Sequence, residues 1–176
     1  RADRRWGSVQ AAVFQTRFDN FIASFLPAQQ FAATGGVDPA DGLLTFQSTN
    51  LDEVTIEGWE LRGTFPLPGL NQGLRLETAL AYARGEDEAT GDPLDTVEPL
   101  NGVVGLRWSS ASGRFDSQLI ATWSVAKDEE DIATDRPATD GWVTLDWLVQ
   151  ARVTENVRID AGFFNLTDET YVRWVD

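Results

Sequence analysis

Apolar and polar side chains alternate along most of this chain. In "RFDSQLIATWSV", Phe115, Leu119, Ala121, Trp123 and Val125 share one face, Asp116, Gln118, Thr122 and Ser124 the other, with Ile120 as the exception. In "LRLETALAY", Leu74, Leu76, Leu80 and Tyr82 oppose Arg75 and Glu77. In "WVTLDWLVQARV", Val143, Leu145, Trp147, Val149, Ala151 and Val153 oppose Thr144, Asp146, Gln150 and Arg152; in "VRIDAGF", Val157, Ile159, Ala161 and Phe163 oppose Arg158 and Asp160. A period of two is the signature of a strand with two unlike faces. The pattern predicts seven main strands, over about 9–25, 52–65, 73–84, 101–109, 113–126, 141–153 and 157–165, with 43–48, "LLTFQS", as an extension of the second. The second strand changes phase. Val54 and Ile56 lie on one parity and Trp59, Leu61 and Phe65 on the other, so Gly58 between them suggests a bulge.

The connections alternate in length. "PLPGLNQG" (66–73), "SAS" (110–112) and "TEN" (154–156) are short, whereas 26–42, 85–100 and 127–140 are long. The long ones are acidic, with Glu86, Asp87, Glu88, Asp92, Asp95 and Glu98 in one and Asp128, Glu129, Glu130, Asp131, Asp135 and Asp140 in the next. Short turns at one end and long polar loops at the other fit an all-β, antiparallel, up-and-down outer-membrane barrel; a soluble β-sandwich need not sort its loops this way. Alternation itself is the same in both. The placement of Trp6, Trp59, Trp108, Trp123, Trp142, Trp147 and Trp174, mostly near predicted strand ends, fits interfacial girdles better than a sandwich core.

Composition narrows the chemistry. The net charge is −14, which argues against nucleic acid as a partner. No Cys, Met or His is present, so these residues alone build no disulfide, zinc site, thiol nucleophile, Ser-His-Asp triad or His-ligated haem. No apolar run is long enough for a transmembrane helix, but a barrel strand needs only about 9–11 alternating residues, so this does not exclude a membrane. "RADRRWGS" at the start has no apolar stretch behind its basic residues and is no signal peptide.

The remaining constellations are weaker. "GEDEATGD" and "KDEEDIATD" carry oxygen ligands for Ca²⁺ but lack EF-hand spacing; solvated loops are the simpler reading, and such loops can also share divalent cations with lipopolysaccharide. Glu77, Asp116, Asp146 and Asp160 face the same side as Arg75, Arg107, Arg152 and Arg158, as a charge network on a polar wall would. No nucleophile elbow or phosphate loop occurs, and no enzyme is expected. "NLT" at Asn165–Thr167 is formally a glycosylation sequon, but Asn and Asp here read as residues that end a strand.

"AGFFNLTDETYVRW" resembles the penultimate strand and following loop of TonB-dependent outer-membrane receptors, of the type "aGvxNLtDxxY". "VQAAVFQTRFDNFI", "DEVTIEGWELRGTFPL" and "LRLETALAYARGED…DPLDTVEPLNGVVGLRW" are similar to further segments of that family in the same order. Tyr171 and Trp174, with an Asp after them, look most like the haem and haemoglobin receptor branch.

The resemblance implies a barrel of about 22 strands with an N-terminal plug and a TonB-contacting box. Residues 1–176 would then be a single C-terminal portion, roughly strands 15 to 21, with the plug and the final strand not present. It implies the outer membrane of a Gram-negative bacterium and active uptake of an iron complex, haem foremost. The partners implied are membrane lipid, lipopolysaccharide, TonB through the N-terminal part, and haem or a haem-carrying protein. No cofactor resides in this chain, because the haem-ligating His residues of that branch have no counterpart here. Loops 26–42, 85–100, 127–140 and 166–176 become the ligand-facing surface, with Asp87, Asp92, Asp131, Arg136, Tyr171 and Trp174 as candidate contacts. Arg75, Glu77, Asp116, Asp146, Arg152 and Asp160 become lumen-facing. Two alternatives stay open: a complete small barrel of structural or adhesive role, and a soluble β-sandwich binding module.

Overall fold

The computed structural model describes residues 6–27, 29–34, 36–68, 73–133 and 137–174. Its strands are β1 (Ser8–Pro27), β2 (Phe46–Pro66), β3 (Leu74–Asp87), β4 (Asn101–Ser109), β5 (Phe115–Ser124), β6 (Trp142–Arg152) and β7 (Arg158–Phe163). All seven predicted strands are present. The extension of the second is real from Phe46 onward. Two short 3-10 turns, Gln29–Thr34 and Glu129–Asp131, lie in the long connections.

The strands form one sheet in the order β1-β2-β3-β4-β5-β6-β7, each antiparallel to its neighbour. Among the described residues no second sheet packs on either face, which removes the sandwich alternative. β1 and β7 do not pair with each other among the described residues, so the sheet is open and not a small closed barrel.

Register sorts the side chains. Leu61, Leu80, Gly102, Trp123 and Val143 follow one another across five strands, as do Phe65, Leu76, Leu106, Leu119, Trp147 and Phe163 across six. That face is apolar and exposed; Val13 is 86% exposed and Ile159 57%. The opposite face holds Arg75, Glu77, Arg107, Asp116, Gln118 and Asp160. Only Ala23, Val54, Leu94, Val97 and Trp174 count as buried apolar residues among those described. A sheet with its apolar surface turned outward is stable when lipid, not water, meets that face.

Gly58 is not a bulge. Its pairing is continuous on both sides, to Phe14 and to Ala83, and the irregularity in β1–β2 falls between Ala23 and Leu26. The change of phase has another cause. Val54 and Ile56 stay on the polar face, where the 88–100 loop folds down and places Leu94 and Val97 against them, with Ala83, Phe21 and Leu51 alongside. Gly85 leaves room for this loop, since a Cβ there would stand 2.7 Å from Leu94 Cδ1 and 2.9 Å from Val97 Cγ2.

The tight end is made by local backbone bonds. Ser110 N–H donates to Phe115 O at 2.8 Å between β4 and β5, and Val153 N–H to Val157 O at 2.9 Å between β6 and β7. Gly73 enters β3 at φ 87, and its Cα lies so near Ser109 O that a Cβ would clash.

Candidate functional site: an interlocked cap of long loops

Three long loops at the same end of the sheet bind one another. The 88–100 loop leaves β3 through a turn held by Asp87. Its N–H donates to Asp92 O at 2.9 Å, and its Oδ1 accepts from Ala89 N–H at 2.9 Å. Leu94 N–H donates back to Gly85 O at 3.0 Å, which seats Leu94 and Val97 over Val54.

The 125–141 connection supplies Lys127, the sole lysine in the sequence. It is buried, donates from Nζ to Val97 O at 3.3 Å, and its backbone bridges Thr139. Burial pushes the Lys127 ammonium below its ordinary range, and Asp131 and Asp95 partly restore it. Ala133 N–H donates to Asp95 Oδ1 at 2.8 Å, tying this connection to the 88–100 loop a second time.

The segment after β7 closes the cap. Asn165 and Asp168 take φ of 49 and 51, the left-handed region that Asn and Asp tolerate. Asn165 N–H donates to Asp146 Oδ1 at 2.8 Å, and its side chain accepts from Glu169 N–H and donates to Glu169 O, each at 3.0 Å. "NLTD" therefore ends the strand and aims the chain back across the sheet. Tyr171 then stacks on Trp142 with ring centroids 4.3 Å apart. Arg173 pairs with Glu98 at 3.4 Å, and Trp174 Nε1–H donates to Asp95 O at 2.5 Å. Beneath them lies a cleft of about 320 Å³ on the polar face, lined by residues that include Glu98, Trp142, Asp146, Tyr171, Arg173 and Trp174.

The candidate contacts fall into two groups. Asp92, Asp131 and Tyr171 are exposed, whereas Asp87 and Trp174 are buried and hold loops in shape. Arg136 lies outside the described residues. Sequence reasoning passed over Lys127, Glu98, Trp142 and Arg173 as site residues. Lys127 had one signal, its being the sole lysine; the others depend on contacts distant in sequence. No group of three His, Cys, Asp or Glu able to hold a metal occurs among the described residues.

Farther down the polar face, side chains bond in pairs. Arg107 meets Asp116 at 3.4 Å, Ser109 donates to Asp116 at 2.6 Å, Gln118 to Glu77 at 3.2 Å, and Gln150 to Asp160 at 2.7 Å. Arg75 lies beside Arg107 in register, and Arg152 beside Arg158.

One antiparallel sheet with an apolar outer face, a hydrogen-bonded polar face, short turns at one end and long loops at the other defines the wall of an outer-membrane β-barrel. The chain belongs to the family "TonB dependent receptor-like, beta-barrel", whose model matches residues 2–166, and its place is the outer membrane of a Gram-negative bacterium. It is 25% identical to the hemoglobin-haptoglobin-binding protein A of Haemophilus influenzae, over 96% of this chain and 17% of the relative. It is 21% identical to the lactoferrin-binding protein A of Neisseria meningitidis, over 96% of this chain and 20% of the relative. Among solved structures, the copper transporter OprC superposes with a TM-score of 0.77 at 21% identity, over 97% of this chain and 24% of that one. The ferric enterobactin receptor of Pseudomonas aeruginosa gives 0.65 at 22%, over 93% and 24%. The chain thus spans about a fifth of the curated relatives it matches.

Proposed function

We propose that these residues form part of the wall and of the ligand-facing surface of a receptor that takes up an iron complex, with haem from a haemoglobin-type protein as the substrate class. The observation that carries this reading is the interlocked cap: three long loops bonded to one another around a cleft lined by Trp142, Tyr171 and Trp174. Relatives named for haemoglobin–haptoglobin and lactoferrin binding cover nearly the whole chain, and they support a protein-borne iron source. In this reading residues 1–176 are a C-terminal portion of a larger barrel, and TonB acts through a plug outside them. Asp92, Asp131 and Tyr171 meet the ligand, Arg136 joins them, and Asp87 and Trp174 shape the surface. Arg75, Glu77, Asp116, Asp146, Arg152 and Asp160 line the lumen. Iron is not ligated by His of this chain, which has none.

The test is growth of an iron-starved host strain that depends on the full-length receptor. Haemoglobin or haem as sole iron source should support growth, and the purified receptor should shift the Soret band of added haem. Replacing Asp131 and Tyr171 by Ala should weaken haemoglobin binding while the barrel still assembles. Uptake of a ferric siderophore with no response to haem or haemoglobin would overturn the haem assignment.

A further inference from the structure

The cleft beneath the cap holds neutral polar groups that no other side chain uses. Trp142 and Tyr171, stacked on each other, form one wall. Thr122 and Thr144 stand opposite each other in register on β5 and β6, one row closer to the tight end than Ser124 and Trp142. Both threonines line the cleft. Thr144 is 7% exposed, and its hydroxyl makes no hydrogen bond among the described residues; nor does that of Thr122. A polar side chain buried this deeply without a partner carries a cost that a ligand oxygen would remove. Beside them, Asn101 spends its Nδ2 on Glu98 Oε2 and Pro99 O, at 3.2 and 3.1 Å, and leaves its side-chain oxygen open.

The charged groups of the cleft are already engaged. Glu98 pairs with Arg173 at 3.4 Å, and Asp146 accepts the Asn165 N–H at 2.8 Å. An anion entering here would meet two carboxylates and no unengaged cation. What remains open is neutral: two hydroxyls and one amide oxygen beside an aromatic wall. An aromatic face, negative at its centre, accepts the C–H edges of a sugar ring. A sugar hydroxyl both donates and accepts, as an amide oxygen and two threonine hydroxyls require. A cleft of about 320 Å³ suits a small, compact group.

We propose that this cleft is a sugar subsite. It takes a neutral hexose ring, with the C–H face against the Trp142–Tyr171 wall and the hydroxyls on Thr122, Thr144 and Asn101. The ring arrives either free or as the end of a glycan on a carrier protein, and both present the same chemistry. Only the second source rests on the protein-borne iron reading above; a free sugar binds whichever iron source the receptor uses.

The experiment is saturation-transfer NMR of the full-length receptor in a sugar-free detergent. The probes are glucose, galactose, mannose and N-acetylglucosamine, with glucuronate as the anionic counterpart. Transfer to the C–H protons of at least one neutral sugar is expected, and none to glucuronate. Thr144→Val, close in shape and without the hydroxyl, should bind that sugar ~10-fold more weakly, the effect of one hydrogen bond. Tyr171→Ala should weaken it as well, whereas Tyr171→Phe should keep it, because stacking needs the ring and not the phenol. Ser112→Ala, in a tight turn at the other end of the sheet, should bind as the parent does. Haemoglobin–haptoglobin before and after enzymatic removal of glycans separates the sources: weaker binding afterwards marks a carrier glycan, and equal binding with transfer to the free sugar marks a free one. No transfer to any neutral sugar would overturn the proposal. So would equal transfer to glucuronate, or full retention of the sugar by both T144V and Y171A.

Discussion

Trp174 lies over Lys127, with the ammonium 5.5 Å from the ring centroid. The two residues come from different loops, and the same indole donates its N–H to the backbone of a third. One contact thus closes the cap: it shields the sole lysine from water and holds the 88–100 loop and the segment after β7 together.

Removing the ring should open the cap without unmaking the sheet. Trp174→Ala deletes a side chain that is 4% exposed, and such deletions cost about 3–5 kcal/mol. Hydrogen exchange read by peptide should show faster exchange in 88–100 and 125–141. Exchange in β4 to β6 should stay at the parent's level, because their ladders do not pass through Trp174.

The cap should tighten with rising pH. Burial lowers the Lys127 pKa from its ordinary value of 10.5 in the folded state, so the opened loop binds a proton more readily than the closed one. Closing is therefore weakest where Lys127 is charged in both states. It gains as pH climbs through the window between the lowered folded value and 10.5. Amine-reactive labelling of Lys127, read by peptide mass spectrometry, should be slow relative to exposed lysines of the full receptor. Lys127→Met should abolish the gain in loop protection over that window, measured relative to intrinsic exchange, while keeping the packed stem.

Gly85→Val should push the 88–100 loop off its seat. The added side chain meets Leu94 and Val97 closer than contact distance, and overpacking of this kind costs about 1–3 kcal/mol. The variant should reach the membrane and keep heat-modifiable gel mobility. Its 88–100 segment should become accessible to protease from outside, where the parent resists.

Neighbouring residues on β5 should answer oppositely to charge. Leu119→Arg places a guanidinium on the lipid face and should cost about 2–4 kcal/mol in urea titrations of the receptor folded into vesicles. Ile120→Arg points to the polar face beside Gly105 and Asp146 in register, and should cost little. Equal effects would contradict the assignment of faces.

Much of this protein was legible from one property, a side-chain period of two. Strand positions, the assignment of Arg75, Glu77, Asp116, Asp146, Arg152 and Asp160 to one face, and the contrast of short and long connections all follow from it. A strand's faces are a local consequence of backbone geometry and need no distant partner. "NLTD" was legible for the same reason, since Asn165 and Asp168 turn the chain through their own conformations.

What the sequence alone could not decide is what the long loops do. Val54 and Ile56 look like a break in phase at Gly58 until Leu94 and Val97 are seen packed on them. Lys127 and Trp174 meet across a long stretch of chain, and no local pattern encodes that pairing. Trp59, in the interior of a long strand, meets Tyr82 only because β2 and β3 pair in that register. Alternation is written residue by residue and survives in isolation. Loop packing and membrane depth depend on which strands end up side by side and how far each extends, and only the tertiary structure sets those relations.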